Sequence, residues 1–156
     1  MSTAPRCALR RALLRTGALA LVLTLALPLA AQELTPAGLW QSVSDVDGKP
    51  KALVRIHEVQ GEFVGVIEQV LNPEKRDALC KDCPGERHNQ PVMGLTIITG
   101  VHRDGEHFGG GQILDPDNGK VYSCKLTLVD GGKRLEVRGF LGFSLFGRSQ
   151  TWLRQE

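Results

Sequence analysis

The chain has 156 residues, with 19 Lys and Arg against 17 Asp and Glu and a formal net charge of +2. That length suits one domain with a single core and leaves little room for a second. The small basic excess sits in the first residues alone, so the electrostatic footprint of nucleic-acid binding is missing and no nucleic-acid partner is expected.

Arg6, Arg10, Arg11 and Arg15 precede an uncharged run over residues 16–32 that is rich in Leu, Ala and Val. Basic start, apolar run and small residues, in that order, are the pattern of a cleavable secretory signal. The apolar stretch 18–31 is shorter than the roughly 20 residues a spanning helix needs, and Pro28 interrupts it, which disfavours an uncleaved anchor. Cleavage is placed after Ala31, or one residue earlier because Leu29 is not small. No cysteine adjoins the cut, so a lipid anchor is not expected, and Cys7 leaves with the leader. Residues 1–31 are thus expected to be a signal peptide and residues 32–156 a single periplasmic or secreted domain without a transmembrane span. Taking the four leader arginines from the 19 basic residues leaves 15 against 17 acidic ones.

Eight short segments follow that alternate in hydrophobicity or are rich in β-branched residues: 38–44, 52–59, 62–71, 95–102, 107–114, 120–129, 134–141 and 147–154. Asp47-Gly48, Gly61, Asp104-Gly105, Asn118-Gly119 and Gly131-Gly132 punctuate them as tight turns. Links this short join antiparallel neighbours, because a parallel crossover takes about a dozen residues. In the sixth segment Tyr122, Cys124, Leu126 and Leu128 share a dry face, while Ser123, Lys125 and Thr127 share a wet one. The seventh sets Leu135 and Val137 against Arg134, Glu136 and Arg138. Residues 72–93 read as a long loop with room for a short helix, and a loop of that length in a compact domain is usually functional or tied down. The predicted fold is all-β, an antiparallel up-and-down eight-stranded β-barrel, with a sandwich as the alternative. At eight strands the interior either fills with side chains or holds one small ligand.

The first segment opens Gly38-Leu39-Trp40 and the last carries Arg148, Trp152 and Arg154. This is similar to lipocalins, whose first strand opens Gly-x-Trp and whose last strand lays an arginine over that tryptophan at the closed end of the barrel. The resemblance implies a structural closure made by Trp40, Trp152 and either Arg148 or Arg154. A longer series covers almost the whole mature chain: Cys80-Lys81-Asp82-Cys83-Pro84, Pro91-Val92-Met93-Gly94-Leu95, Ile113-Leu114-Asp115-Pro116-Asp117-Asn118-Gly119, Val137-Arg138-Gly139-Phe140 and Gly147-Arg148-Ser149-Gln150-Thr151-Trp152. It resembles the bacterial family of domain of unknown function 2147. That resemblance implies an exported small domain with a lipocalin-like barrel, and no established reaction, ligand or catalytic residue.

Cys80 and Cys83 form a C-x-x-C, with Cys124 the remaining cysteine after processing. A structural disulfide suits an oxidising compartment. A zinc site with Cys124 and His88 has suitable ligand types but lacks a second close pair. A redox pair would need a helix N-terminus to lower the thiol pKa, and the chain supplies none here. The expected arrangement is a Cys80–Cys83 bridge with Cys124 free on the apolar face of its strand, a bridge from Cys124 to either loop cysteine being the alternative. Asp45-Val46-Asp47-Gly48 and Asp115-Pro116-Asp117-Asn118-Gly119 resemble calcium loops but lack the distal acidic ligand, so both are read as hairpin turns. His57, His88, His102 and His107 are scattered, and neither H-E-x-x-H nor G-x-S-x-G occurs. No catalytic residue, cofactor or metal is therefore assigned.

Residues 140–147 are apolar where a polar turn would be expected. Phe140, Phe143 and Phe146 are three apart, so one helical turn would group them, either to plug the core or to meet an apolar ligand. Phe140, Phe143, Phe146 and Tyr122 are the candidate ligand-binding residues. The functional expectation is a non-enzymatic binding module of the cell envelope for a small apolar or amphipathic ligand. The alternatives are an accessory protein with a filled barrel that meets another envelope protein or serves a stress response, and an uncharacterised envelope enzyme.

Overall fold

The structure is a computed structural model and describes residues 34–143, 145 and 147–156. The expected signal segment 1–31 and Phe146 lie outside the described residues. Eight strands follow in chain order: β1 (Gly38–Val43), β2 (Pro50–Val59), β3 (Glu62–Val70), β4 (Thr96–Asp104), β5 (His107–Asp115), β6 (Lys120–Val129), β7 (Arg134–Phe140) and β8 (Gly147–Arg154). Each pairs with the next, and β8 returns to β1 to close the barrel. All pairings are antiparallel. The predicted up-and-down barrel forms, with strand ends within two residues of those read from periodicity. Pro50 opens β2 at the one strand position where a missing N–H is easily tolerated.

Pairing register shows which side chains share the interior. Trp40 pairs with Val54 and Ser42 with Ala52, Leu135 with Trp152 and Val137 with Gln150, and Leu126 with Val137 and Cys124 with Gly139. One half of the barrel is packed solid by Trp40, Ile56, Phe63, Ile98, Val101, Phe108, Leu126 and Leu135, all buried. Phe63 and Phe108 meet edge to face with centroids 5.1 Å apart, a favoured geometry for two rings sharing a core. Ile98 packs tightly in the same half because an interior position facing it is a glycine: a Cβ on Gly65 would stand 3.0 Å from Ile98.

The loop between β3 and β4 is not a separate element. It holds single 3₁₀ turns at Pro73–Lys75 and Gly85–Arg87. A short ladder ties it together: Cys80 N–H donates to Gln90 O (2.8 Å), Asn89 N–H to Cys80 O (2.9 Å) and Val92 N–H to Ala78 O (2.9 Å). Cys80 and Cys83 form the expected disulfide, Cα atoms 5.4 Å apart, and both are buried. The loop lies against the β5–β6 turn so closely that a Cβ on Gly119 would collide with the Asp82 carbonyl. Gly119 also has φ +70°, so glycine is required there on two counts. Among the described residues no helix is long and apolar enough to cross a membrane.

Candidate ligand-binding cavity

Interior side chains shrink toward one end of the barrel. Along β1 they run Trp40 then Ser42, along β2 Ile56, Val54, Ala52, and along β7 Leu135, Val137, Gly139. Because neighbouring strands are antiparallel, these opposite chain directions point to the same end. Side chains that small cannot fill an eight-stranded interior, and a cavity of about 1770 Å³ opens there. That exceeds the roughly 300–1,000 Å³ usual for a small-molecule site, partly because it includes the mouth. The hollow and filled alternatives are thus both realised, one in each half of the barrel.

Trp152 forms the floor, with Val54, Ile67, Ile113 and Val137 on the walls. The polar groups of the wall are already engaged. Ser42 Oγ donates to Ala52 O (3.2 Å) and accepts from Ala52 N–H (3.1 Å), which satisfies its hydroxyl where β1 shifts register against β2. Trp152 Nε1–H donates to Gln150 Oε1 (3.2 Å). Tyr122 reaches the lumen beside Ile113, and its hydroxyl oxygen accepts from Asn118 Nδ2 (3.4 Å).

The rim carries ion pairs that join separate loops. Lys51 and Lys75 both donate to Asp117, at 2.6 and 2.7 Å, drawing β2 and the β3–β4 loop onto the β5–β6 turn. Burial alone would raise the Asp117 carboxyl, but hydrogen bonds from the two lysines outweigh it and hold it below its usual value. Arg148 grips both oxygens of Asp45 through Nε and Nη2. Hydrogen bonding from Arg148 holds the Asp45 carboxyl below the usual range, and a further hydrogen bond from Gln150 acts the same way.

The sequence-predicted residues divide between the two ends. Arg154, not Arg148, lies over Trp40, its guanidinium carbon 4.2 Å from the ring centroid. Arg148 sits at the mouth, as part of the rim and not of the closure, because β8 alternates: Arg148, Gln150, Trp152 and Arg154 all take the inner face, and Trp40 pairs with Arg154. Trp152 is the cavity floor above that closure. Tyr122 and Phe140 line the cavity. Phe143 is 79% exposed and is not among the lining residues. Leu141–Phe143 form bends, not a helical turn, so Phe140 and Phe143 are not grouped on one helical face, and Phe146 lies outside the described residues. Leu141 and Leu145, which periodicity did not single out, reach the cavity instead.

Cys124 is free and buried, set between Gly111 and Gly139 in the β5–β6–β7 register. Burial pushes its thiol up to about 12. Among the described residues no three His, Cys, Asp or Glu side chains gather into a metal-binding group. The taper of interior volume was the signal that could have located the cavity from sequence. It becomes readable only once the strands are aligned with one another.

The geometry is that of a barrel plugged at one end and open at the other. The protein HP1028 of Helicobacter pylori, described as belonging to the lipocalin family, has a solved structure to which this chain is similar: TM-score 0.69 at 18% sequence identity, covering 80% of this chain and 85% of that one. At that identity the likeness shows the fold, a lipocalin-like barrel. No curated protein matches the sequence. The family model described as an uncharacterized protein conserved in bacteria, DUF2147, matches residues 38–154, the first residue of β1 to the last of β8, and the chain belongs to that family.

Proposed function

We propose that this protein is an exported binding module of the bacterial cell envelope, whose cavity takes up a small apolar or amphipathic molecule. The observation that carries the reading is the half-hollow barrel: a floor at Trp152, aliphatic walls and an open, charged rim. A site with apolar walls and few polar groups is how a protein binds small molecules by burial rather than by chemistry. Export rests on the signal pattern of residues 1–31.

Titration of the purified protein with the uncharged fluorescent probe N-phenyl-1-naphthylamine tests the cavity. Saturable uptake is expected, weakened at least about tenfold by Val137→Trp, which fills the lumen, with the far-ultraviolet circular dichroism unchanged. No uptake by the folded parent protein would refute the binding reading. N-terminal sequencing of envelope protein should begin near Gln32, and an intact Met1 on the mature species would refute export.

A second reading, contact with another envelope protein, is favoured by the lip beside the mouth. Leu141, Phe143 and Leu145 are 59%, 79% and 85% exposed, and neighbouring apolar side chains left in water are common at interaction sites. Cross-linking from position 143 in intact cells should capture one dominant partner, lost in the Leu141→Ser, Leu145→Ser double variant.

A further inference from the structure

The charges around the mouth restrict which amphiphile the cavity can take. Nine charged residues line it among those described, four cations against five carboxylates. Most are already matched. Asp45 holds Arg148, Asp47 holds Lys49 at 3.4 Å, and Asp117 is shared by Lys51 and Lys75. Asp115 has both oxygens engaged within its own turn, accepting from Asp117 N–H and Asn118 Nδ2, each at 3.0 Å. The fifth carboxylate, Glu74, is exposed at the edge of the mouth.

An anionic head entering this ring finds no cation that is not already held, and five carboxylates around it. To gain a lysine it must take Lys51 or Lys75 from Asp117, which exchanges one ion pair for another and adds none, so the cost of drying the head is not recovered. A cationic head is no better served: the Asp115 oxygens are committed to the turn, Asp45, Asp47 and Asp117 are paired, and Glu74 is exposed, where an ion pair in water gains little. Hydrogen-bonding capacity without net charge remains. The Tyr122 hydroxyl accepts from Asn118 and keeps its own O–H to donate, and it stands at the height where apolar wall gives way to rim.

Building on the cavity-binding reading above, we propose that the ligand is an amphiphile whose polar end carries no net charge, a hydroxyl, ester or amide head or a zwitterion, with its apolar chain directed at Trp152. The pre-paired rim then acts as a filter against anionic and cationic amphiphiles of the same chain length.

Four twelve-carbon compounds separate the possibilities: monolaurin (uncharged), dodecylphosphocholine (zwitterionic), dodecanoate (anionic) and dodecyltrimethylammonium (cationic). Each is tested below its micellar concentration at neutral pH for displacement of bound N-phenyl-1-naphthylamine. The expected result is displacement by the first two at concentrations at least about tenfold lower than by the last two. Relative strength of the first two distinguishes an uncharged from a zwitterionic head. In Asp117→Asn, which frees Lys51 and Lys75 together, dodecanoate should gain about fivefold or more relative to monolaurin. Dodecanoate or the cation binding as tightly as monolaurin, or probe uptake that none of the four reverses, would overturn the head-group assignment and leave the cavity reading standing. Absence of probe uptake would overturn both.

Discussion

At the plugged end the Arg154 guanidinium donates to four backbone carbonyls, Gly132 O (2.6 Å), Ala37 O (2.9 Å), Thr35 O (2.9 Å) and Glu156 O (3.5 Å), while lying over the Trp40 ring. Trp40 in turn donates its Nε1–H to Pro36 O at 2.8 Å. One planar fork therefore ties the segment before β1, the turn before β7 and the end of β8, which a lysine cannot do. Gly38 makes room for it: its φ is +138°, and a Cβ there would stand 2.6 Å from Arg154 Nη1. Arg154→Ala is expected to lower unfolding free energy by about 3 kcal/mol, through carbonyls left unpaired and the lost ring contact. Arg154→Lys should recover less than half of that, both read from urea midpoints. Cys124 gives a second prediction. The thiol's ordinary value is 9.0 and burial raises it to about 12, so the folded state keeps a proton that the unfolded chain releases. Stability from this group is intact below pH 9 and lost as pH climbs from there toward 12, by at most about 1.4 kcal/mol per pH unit. Cys124→Ala should flatten that part of the alkaline stability profile, and a thiol reagent should label the parent protein once, only after unfolding. The Gly-x-Trp signature was legible in sequence, as was the free cysteine. Which arginine closes the end was not, because alternation places Arg148 and Arg154 on the same face and only the β1–β8 register separates them.

The β1–β8 seam is the weakest part of the barrel wall. Its backbone pairing covers Trp40 with Arg154 and Gln41 with Leu153, whereas β7 and β8 pair along their whole length from Arg134–Leu153 to Phe140–Gly147. Toward the mouth the seam is bridged by side chains, with Arg148 and Gln150 of β8 both reaching Asp45. The Arg148 side chain is 58% exposed, so the pair adds little to global stability, under about 1 kcal/mol. Its effect should be local. Arg148→Ala is expected to leave the denaturation midpoint nearly unchanged, while amide exchange in the upper half of β8 and release of bound probe both accelerate. Acid should act the same way on the parent protein. The Asp45 carboxyl titrates below its usual 3.8 when folded, so the latch is complete above pH 3.8 and is lost as pH falls through the lower folded value. Stopped-flow release rates should rise there in the parent and stay flat in Arg148→Ala. The strands themselves were readable because period-two alternation is a local property of a half-buried ribbon. Loop 71–95 was less so, since its order comes from the Cys80–Cys83 bridge and from contact with the distant β5–β6 turn, neither of which leaves a periodic trace.

Across the whole molecule, one half of the lumen is filled and supports stability, and the other is hollow and available to a ligand. A ligand that enters the hollow half binds only the folded state, so it should raise stability by mass action, about 2.7 kcal/mol at a concentration one hundred times its dissociation constant. Thermal unfolding with monolaurin should show a rising midpoint in the parent and none in Val137→Trp. A midpoint that rises equally in both would place the ligand outside the cavity. The antiparallel eight-stranded architecture, the turn positions and the dry face carrying Cys124 followed from residue order, because each depends on neighbours within a few positions of one another. The hollow, the choice of Arg154 for the closure and the paired charges of the rim depended on folding. Each arises where residues ten or more positions apart meet: Ala52 beside Ser42 and Val70, Arg154 over Trp40, Lys51 and Lys75 on Asp117. Volume and charge compensation are sums over such neighbours, and a linear chain does not display its neighbours until the barrel has closed.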